Sequence, residues 1–157
     1  MSSELNREDN PARRDKILVI DDDESIRKTL TNYLKKLDYN VFSASNGLEG
    51  IEIAQKEIPD LVITDIKMPR ADGFEVLKKV KAIDSHIHVI MITAFDDMSS
   101  TVKAMQQGAY DYIEKPLEID KLKITISRAL ENKKMREQLA SFITVETEEY
   151  QSENTLI

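Results

Sequence analysis

The sequence has no cysteine, which excludes disulfides and any metal centre built on thiolates. No apolar run approaches the ~18–20 residues that a membrane-spanning helix needs. The opening stretch MSSELNREDNPARRDK has no apolar leader core. Nor is there an excess of positive charge. The formal net charge is −7, the wrong sign for a non-specific grip on nucleic acid. Together these absences lead to the expectation of a cytoplasmic protein with no membrane insertion and no direct nucleic-acid binding.

What is present is an ordinary globular composition, 41% hydrophobic over 157 residues, enough for one domain with a full core. Short β-rich runs alternate with longer helical ones. ILVI (17–20), NVFSA (40–44), LVIT (61–64), HVIMIT (88–93) and AYDYIE (109–114) read as strands. Between them, apolar residues recur at three- and four-residue spacing, as at Ile26, Leu30, Tyr33, Leu34 and Leu37. Further helices are expected over 47–57, closed by Pro59, over 73–83, over 99–107, stopped by Gly108, and from Ile119 onward. This pattern predicts an α/β fold, a five-stranded parallel sheet with helices on both faces. The flavodoxin-like strand order 2-1-3-4-5 is the natural choice for five such units.

In a sheet of that kind, ligands sit beyond the carboxyl ends of the strands, where the strand order reverses. The residues arriving there are Asp21, Asp22 and Asp23 after the first strand and Asp65 after the third. The fourth strand ends with Thr93 and Ala94, and Lys115 and Pro116 follow the fifth. Taken singly, each has a plain reading. The acids at 21–23 could cap the following helix, as Asp23 and Glu24 are expected to do, and Asp65 alone could be a turn residue.

Taken together they make a carboxylate-rich, oxygen-only cluster that is costly unless a cation neutralises it. Such a donor set suits Mg²⁺, which keeps several waters and accepts phosphate as a further ligand. A metal on one side and Lys115 on the other would flank an incoming phosphoryl group, with Thr93 donating to one of its oxygens. Asp65 at the centre would be the nucleophile.

The same residues resemble the receiver domain of two-component response regulators (the CheY-like fold), from about residue 16 to 132. ILVIDDDESIR resembles the first strand and its acidic pair, PDLVITDIKMPRADGFEVL the phosphoacceptor segment, VIMITAF the switch hydroxyl and GAYDYIEKP the lysine–proline step. The resemblance implies that Asp65 accepts a phosphoryl group from a sensor histidine kinase or a phosphotransfer protein. It implies Asp21, Asp22, Asp65 and the backbone carbonyl of Lys67 as the Mg²⁺ site. Asp21 and Asp22 are preferred over Asp23 because they directly follow the apolar strand. Thr93 and Lys115 would contact the phosphate, Tyr112 would be the aromatic that follows Thr93, and Pro116 would follow a cis peptide bond.

The implied protein is a switch more than an enzyme with turnover, with at most slow autophosphorylation from small donors and slow autodephosphorylation. Lys67 and Phe95 flank the site as candidates for tuning that rate. A downstream protein would read the face formed by the fourth helix, fifth strand and fifth helix.

AYDYIEKP resembles the nitrogen-regulation (NtrC-like) branch, although Leu117 stands where that branch more often has phenylalanine. There is no Walker-type GxxxxGK and no room for a helix-turn-helix domain, which leaves a stand-alone receiver or a piece of a larger regulator. Four regions are expected along the chain: a disordered lead over 1–15, the receiver over 16–132, a helical extension over 133–143 and a disordered acidic tail over 144–157. Ile119, Leu122, Ile126, Ala129 and Leu130 share the helical face expected to dock on the sheet. Ile124, Met135, Leu139 and Phe142 share the opposite one, a plain solvated surface or the seam of a homodimer or partner helix. His86 and His88 read as surface histidines.

Two other classes compete with the switch. A haloacid-dehalogenase-type phosphatase would use the DxD within 21–23, leaving Asp65 and KMP without a role. A binding module that never takes phosphate would leave the acidic set and Lys115 unexplained. A flavodoxin would need a Ser/Thr/Gly-rich phosphate loop where the acids stand.

Overall fold

A computed structural model describes residues 14–155, with side chains over 14–144. Five strands form one parallel sheet in the order β2-β1-β3-β4-β5. They are β1 (Lys16–Ile20), β2 (Asn40–Ala44), β3 (Leu61–Asp65), β4 (His88–Thr93) and β5 (Asp111–Glu114). The helices between and after them are α1 (Glu24–Lys36), α2 (Gly47–Glu57), α3 (Gly73–Ile83), α4 (Met98–Gln106) and α5 (Ile119–Thr155).

The strand sequences are apolar on both faces because both faces are covered. Leu18, Ile20, Val62, Val89 and Met91 form one core with Ile51, Ala54, Val76, Leu77, Val80 and Ala104 of α2, α3 and α4. Ile17, Val19, Leu61, Ile63, Ile90 and Ile92 form the other with Leu30 and Leu34 of α1 and Leu122, Ile126 and Ala129 of α5. Register fixes which residues reach the carboxyl edge together. Ile20 pairs with Thr64, Asp65 with Ile92, and Thr93 with Glu114.

Several expectations are revised. α5 runs to Thr155, so the backbone over 144–155 is helical where a disordered tail was expected. Glutamate-rich sequence lacks a core-facing stripe, which reads as disorder, yet glutamate is a good helix former. Of the expected disordered lead, residues 1–13 lie outside the described residues, whereas Asp15 accepts from the amide of Asn40 through its carbonyl. Arg14 pairs with Asp38 at 3.5 Å and Lys16 with Glu57 at 3.7 Å.

Ile119 is 40% exposed, being the first residue of its helix. His88 is buried, stacked on Tyr110 with ring centroids 4.4 Å apart and 2.8 Å from Asn132 Oδ1. An imidazole reads as polar in sequence, but its ring packs as an apolar body once its nitrogen finds a partner.

Candidate functional site

The carboxyl ends of β1 and β3 lie side by side, and the two strands deliver their acids to one place. Asp21, the first residue past β1, is fully buried, with its amide bonded to the carbonyl of Ala44. Its Oδ1 accepts from the amide of Asp23 at 2.9 Å, and Arg27 Nη1 donates to its carbonyl at 2.8 Å. Asp23 is occupied elsewhere as the N-cap of α1, where its carboxylate accepts from the amides of Ser25 and Ile26. That division of labour separates the three consecutive acids. Asp21, Asp22 and Asp65 each offer one carboxylate oxygen, and these oxygens lie within 4.8 Å of one another.

Glycine makes the close approach of α3 possible. A Cβ on Gly73 would meet the carbonyl oxygen of Asp65 at 2.5 Å and Ile66 Cα at 2.8 Å. One on Gly47 would strike the carbonyl of Ala71. Between them the loop after β3 turns through Arg70 (φ 52°) and Ala71 (φ 81°), left-handed conformations that cost non-glycine residues roughly 1–2 kcal/mol each.

The cation of the cluster is Lys115. Its amide donates to the carbonyl of Thr93 at 2.9 Å, and its Nζ donates to Asp65 Oδ2 at 2.9 Å. Burial alone would lower the lysine, but the hydrogen bond and charge of Asp65, with the charges of Asp21 and Asp22, outweigh it and hold the ammonium above its usual range. The Lys115–Pro116 peptide is cis. Asp21 Oδ2 stands 3.9 Å from Lys115 Nζ, within ion-pair range but too far for a hydrogen bond. Burial pushes the Asp21 carboxyl up to about 6. The Asp23 amide bond and Lys115 pull against that rise, while the charges of Asp65 and Asp22 add to it.

Two buried side-chain atoms among the described residues lack a hydrogen-bond partner, Asp21 Oδ2 and Thr93 Oγ1. Such groups are costly to bury unless something pairs with them. A carboxylate oxygen facing two further carboxylates fits a hard divalent cation, and a hydroxyl beside Lys115 fits an anionic oxygen. Tyr112 is half-buried against the core on the α2–α3–α4 side of the sheet. Phe95 is 76% exposed. Lys67 points its ammonium at Asp97 Oδ2, 3.3 Å away. Sequence reading singled out Lys67 but missed Asp97, because nothing in the spacing ties two loops together.

The family model described as the response regulator receiver domain matches residues 17–127. Sporulation initiation phosphotransferase F of Bacillus subtilis is 39% identical over 116 residues, 74% of this chain and 94% of that protein. The transcriptional regulatory protein ZraR of Klebsiella oxytoca is 40% identical over 121 residues, 77% of this chain but 27% of that protein. Among solved structures, a response regulator receiver domain protein from Clostridium thermocellum superposes with a TM-score of 0.74 at 36% identity, covering 77% of this chain and 98% of the other. NtrX from Brucella abortus, solved with ADP, gives 0.79 at 30% identity, covering 82% of this chain and 30% of the other. The chain thus spans nearly all of some relatives and under a third of others.

Proposed function

The chain belongs to the response regulator receiver domain family, and from that premise we propose that Asp65 is its phosphoacceptor. In this reading a carboxylate oxygen of Asp65 forms the new P–O bond as the P–N bond of a phosphohistidine breaks. The imidazole leaves and takes its proton from solvent. Asp21, Asp22, Asp65 and the Lys67 carbonyl would hold Mg²⁺, which when bound supplies positive charge against the acids and the phosphoryl oxygens. Lys115, already 2.9 Å from Asp65, would turn part of its charge to the new phosphate. The Thr93 hydroxyl would donate to a phosphoryl oxygen, the partner its buried Oγ1 lacks.

The single observation that carries the reading is this cluster: three converging carboxylates with one buried oxygen unsatisfied, and a lysine on the far side. The added dianion would shift an existing two-state equilibrium, drawing Thr93 inward with Tyr112 following. A sensor histidine kinase or phosphotransfer protein would supply the group, in the cytoplasm. A downstream protein would read the α4–β5–α5 face, where Phe95, Met98, Val102 and Met105 are exposed. The protein acts as a switch, with slow self-phosphorylation from small donors and slow hydrolysis as its own chemistry. The receiver would end near residue 132, and the 133–143 stretch of α5, with Met135, Leu139 and Phe142 exposed, would serve a partner helix or a second copy.

The test is a phosphate-affinity gel after incubation with acetyl phosphate, with and without Mg²⁺. Wild type should give one retarded band that EDTA abolishes and Lys115→Ala weakens by tenfold or more. A band equally strong in EDTA would contradict the assigned metal site.

A further inference from the structure

α4 is lightly held, because both residues it buries are small. It buries only Thr101 and Ala104, while Met98, Val102 and Met105 face outward. Its capping hydrogen bond is also the longest of the four N-caps described. The N-cap residues of α1, α2 and α3 have extended backbone and accept at 2.9, 2.9 and 3.0 Å. Asp97, the cap of α4, sits at φ −97°, ψ 64° and accepts from the Ser100 amide at 3.3 Å.

What supplements this light packing is charge. Lys67 Nζ reaches from the loop after β3 to Asp97 Oδ2 at 3.3 Å. Lys103 of α4 lies over the Phe74 ring of α3, 4.3 Å from its centroid. The Ser100 contacts, with Lys67, hold the Asp97 carboxyl below the usual carboxylate range.

We propose that the Lys67–Asp97 ion pair is a latch that holds α4 in its unphosphorylated placement, and that a phosphoryl group on Asp65 opens it by competing for Lys67. Such a latch rests on Asp65 being the phosphoacceptor. Lys67 stands two residues past Asp65, in the loop that follows β3, and a dianion on Asp65 attracts its ammonium more strongly than a single carboxylate does. Once Lys67 is drawn away, the cap of α4 loses its only ion-pair partner among the described residues, and the exposed apolar side of the helix becomes free to shift. Reciprocity follows: whatever the latch contributes to the resting placement it subtracts from phosphoryl binding, by the same factor. An exposed pair of this kind sets that factor at about two- to fivefold.

The experiment compares wild type, Asp97→Asn, Lys67→Gln and the double variant. Asparagine caps a helix about as well as aspartate, so Asp97→Asn removes the charge and keeps the cap. Two readouts are taken: amide hydrogen exchange across α4 in the free protein, and titration with beryllium fluoride in Mg²⁺ as a phosphoryl stand-in. Both single variants should speed α4 exchange in the free protein by about two- to fivefold, and the double variant by no more than either. Asp97→Asn should tighten beryllium fluoride binding by about the same factor.

If wild type binds the probe while Asp97→Asn neither tightens binding nor speeds exchange, the latch is wrong and the phosphoacceptor stands. Additive effects in the double variant would equally refute it. If wild type binds no beryllium fluoride at all, the phosphoacceptor reading falls and takes the latch with it.

Discussion

At the scale of single residues, Asp21 carries the largest electrostatic tension. Its carboxyl is raised from 3.8 to about 6, chiefly by burial. Between those values the folded chain keeps a proton that the unfolded chain has released, so stability falls as pH rises through about 4 to 6. A rise of that size corresponds to a contribution on the order of 3 kcal/mol. In EDTA at pH 7.5, Asp21→Asn should therefore be more stable than wild type by that order, and the gap should close as pH is lowered toward 4. Excess Mg²⁺ should reverse the ranking, because in the proposed metal site only wild type keeps the Asp21 carboxylate. Denaturant melts at three pH values check this; equal stability in EDTA throughout would show that burial of Asp21 is already compensated. The convergence of Asp21, Asp65, Thr93 and Lys115 at the strand ends was legible in sequence because each stands at the end of an apolar strand or just past it. The burial that raises Asp21 was not, since it depends on the Ala44 carbonyl and the neighbouring strands.

At the scale of elements, strands and helices followed from apolar runs and three-to-four spacing, and their ends, apart from the carboxyl end of α5, fell within about two residues of expectation. The ties between elements did not. Lys133 is the clearest case, a lysine on α5 whose side chain is only 9% exposed. Its Nζ lies 2.9 Å from Asp60 Oδ1 and 2.7 Å from Glu137 Oε1. Asp60 Oδ2 in turn accepts from the Lys16 amide at 2.7 Å. With His88 held to Asn132, these contacts pin α5 to the amino end of the sheet. In sequence, Lys133 is one of a run of basic residues on a helix, which reads as solvated surface. Lys133→Ala should cost about 1–3 kcal/mol in urea unfolding. The lower part of the range for a buried pair applies because Asp60 and Glu137 both reach solvent. No loss would mean the pin contributes nothing beyond packing.

At the scale of the whole molecule, composition leads to the switch by a single physical route. No described helix is long and apolar enough to cross a membrane. A sheet covered on both faces leaves only its strand ends for chemistry, and the order β2-β1-β3-β4-β5 places the crossover reversal beside β1 and β3, where the acids collect. The site and the exposed side of α4 lie on connected elements, which is what a phosphorylation switch requires. The helical course of 144–155 was hidden from sequence because its glutamates give no docking face, and the pairing of Lys67 with Asp97 because it joins two loops far apart in the chain.

The central claim is that Asp65, and no other acid of the cluster, takes the phosphoryl group. Its most direct test is borohydride reduction after phosphorylation with acetyl phosphate and Mg²⁺, which converts an acyl phosphate to homoserine, followed by peptide mapping. The account predicts homoserine at position 65 alone, with none formed in Asp65→Asn. Homoserine at position 21 or 22 would contradict it, as would a phosphoryl gain of unchanged extent in Asp65→Asn.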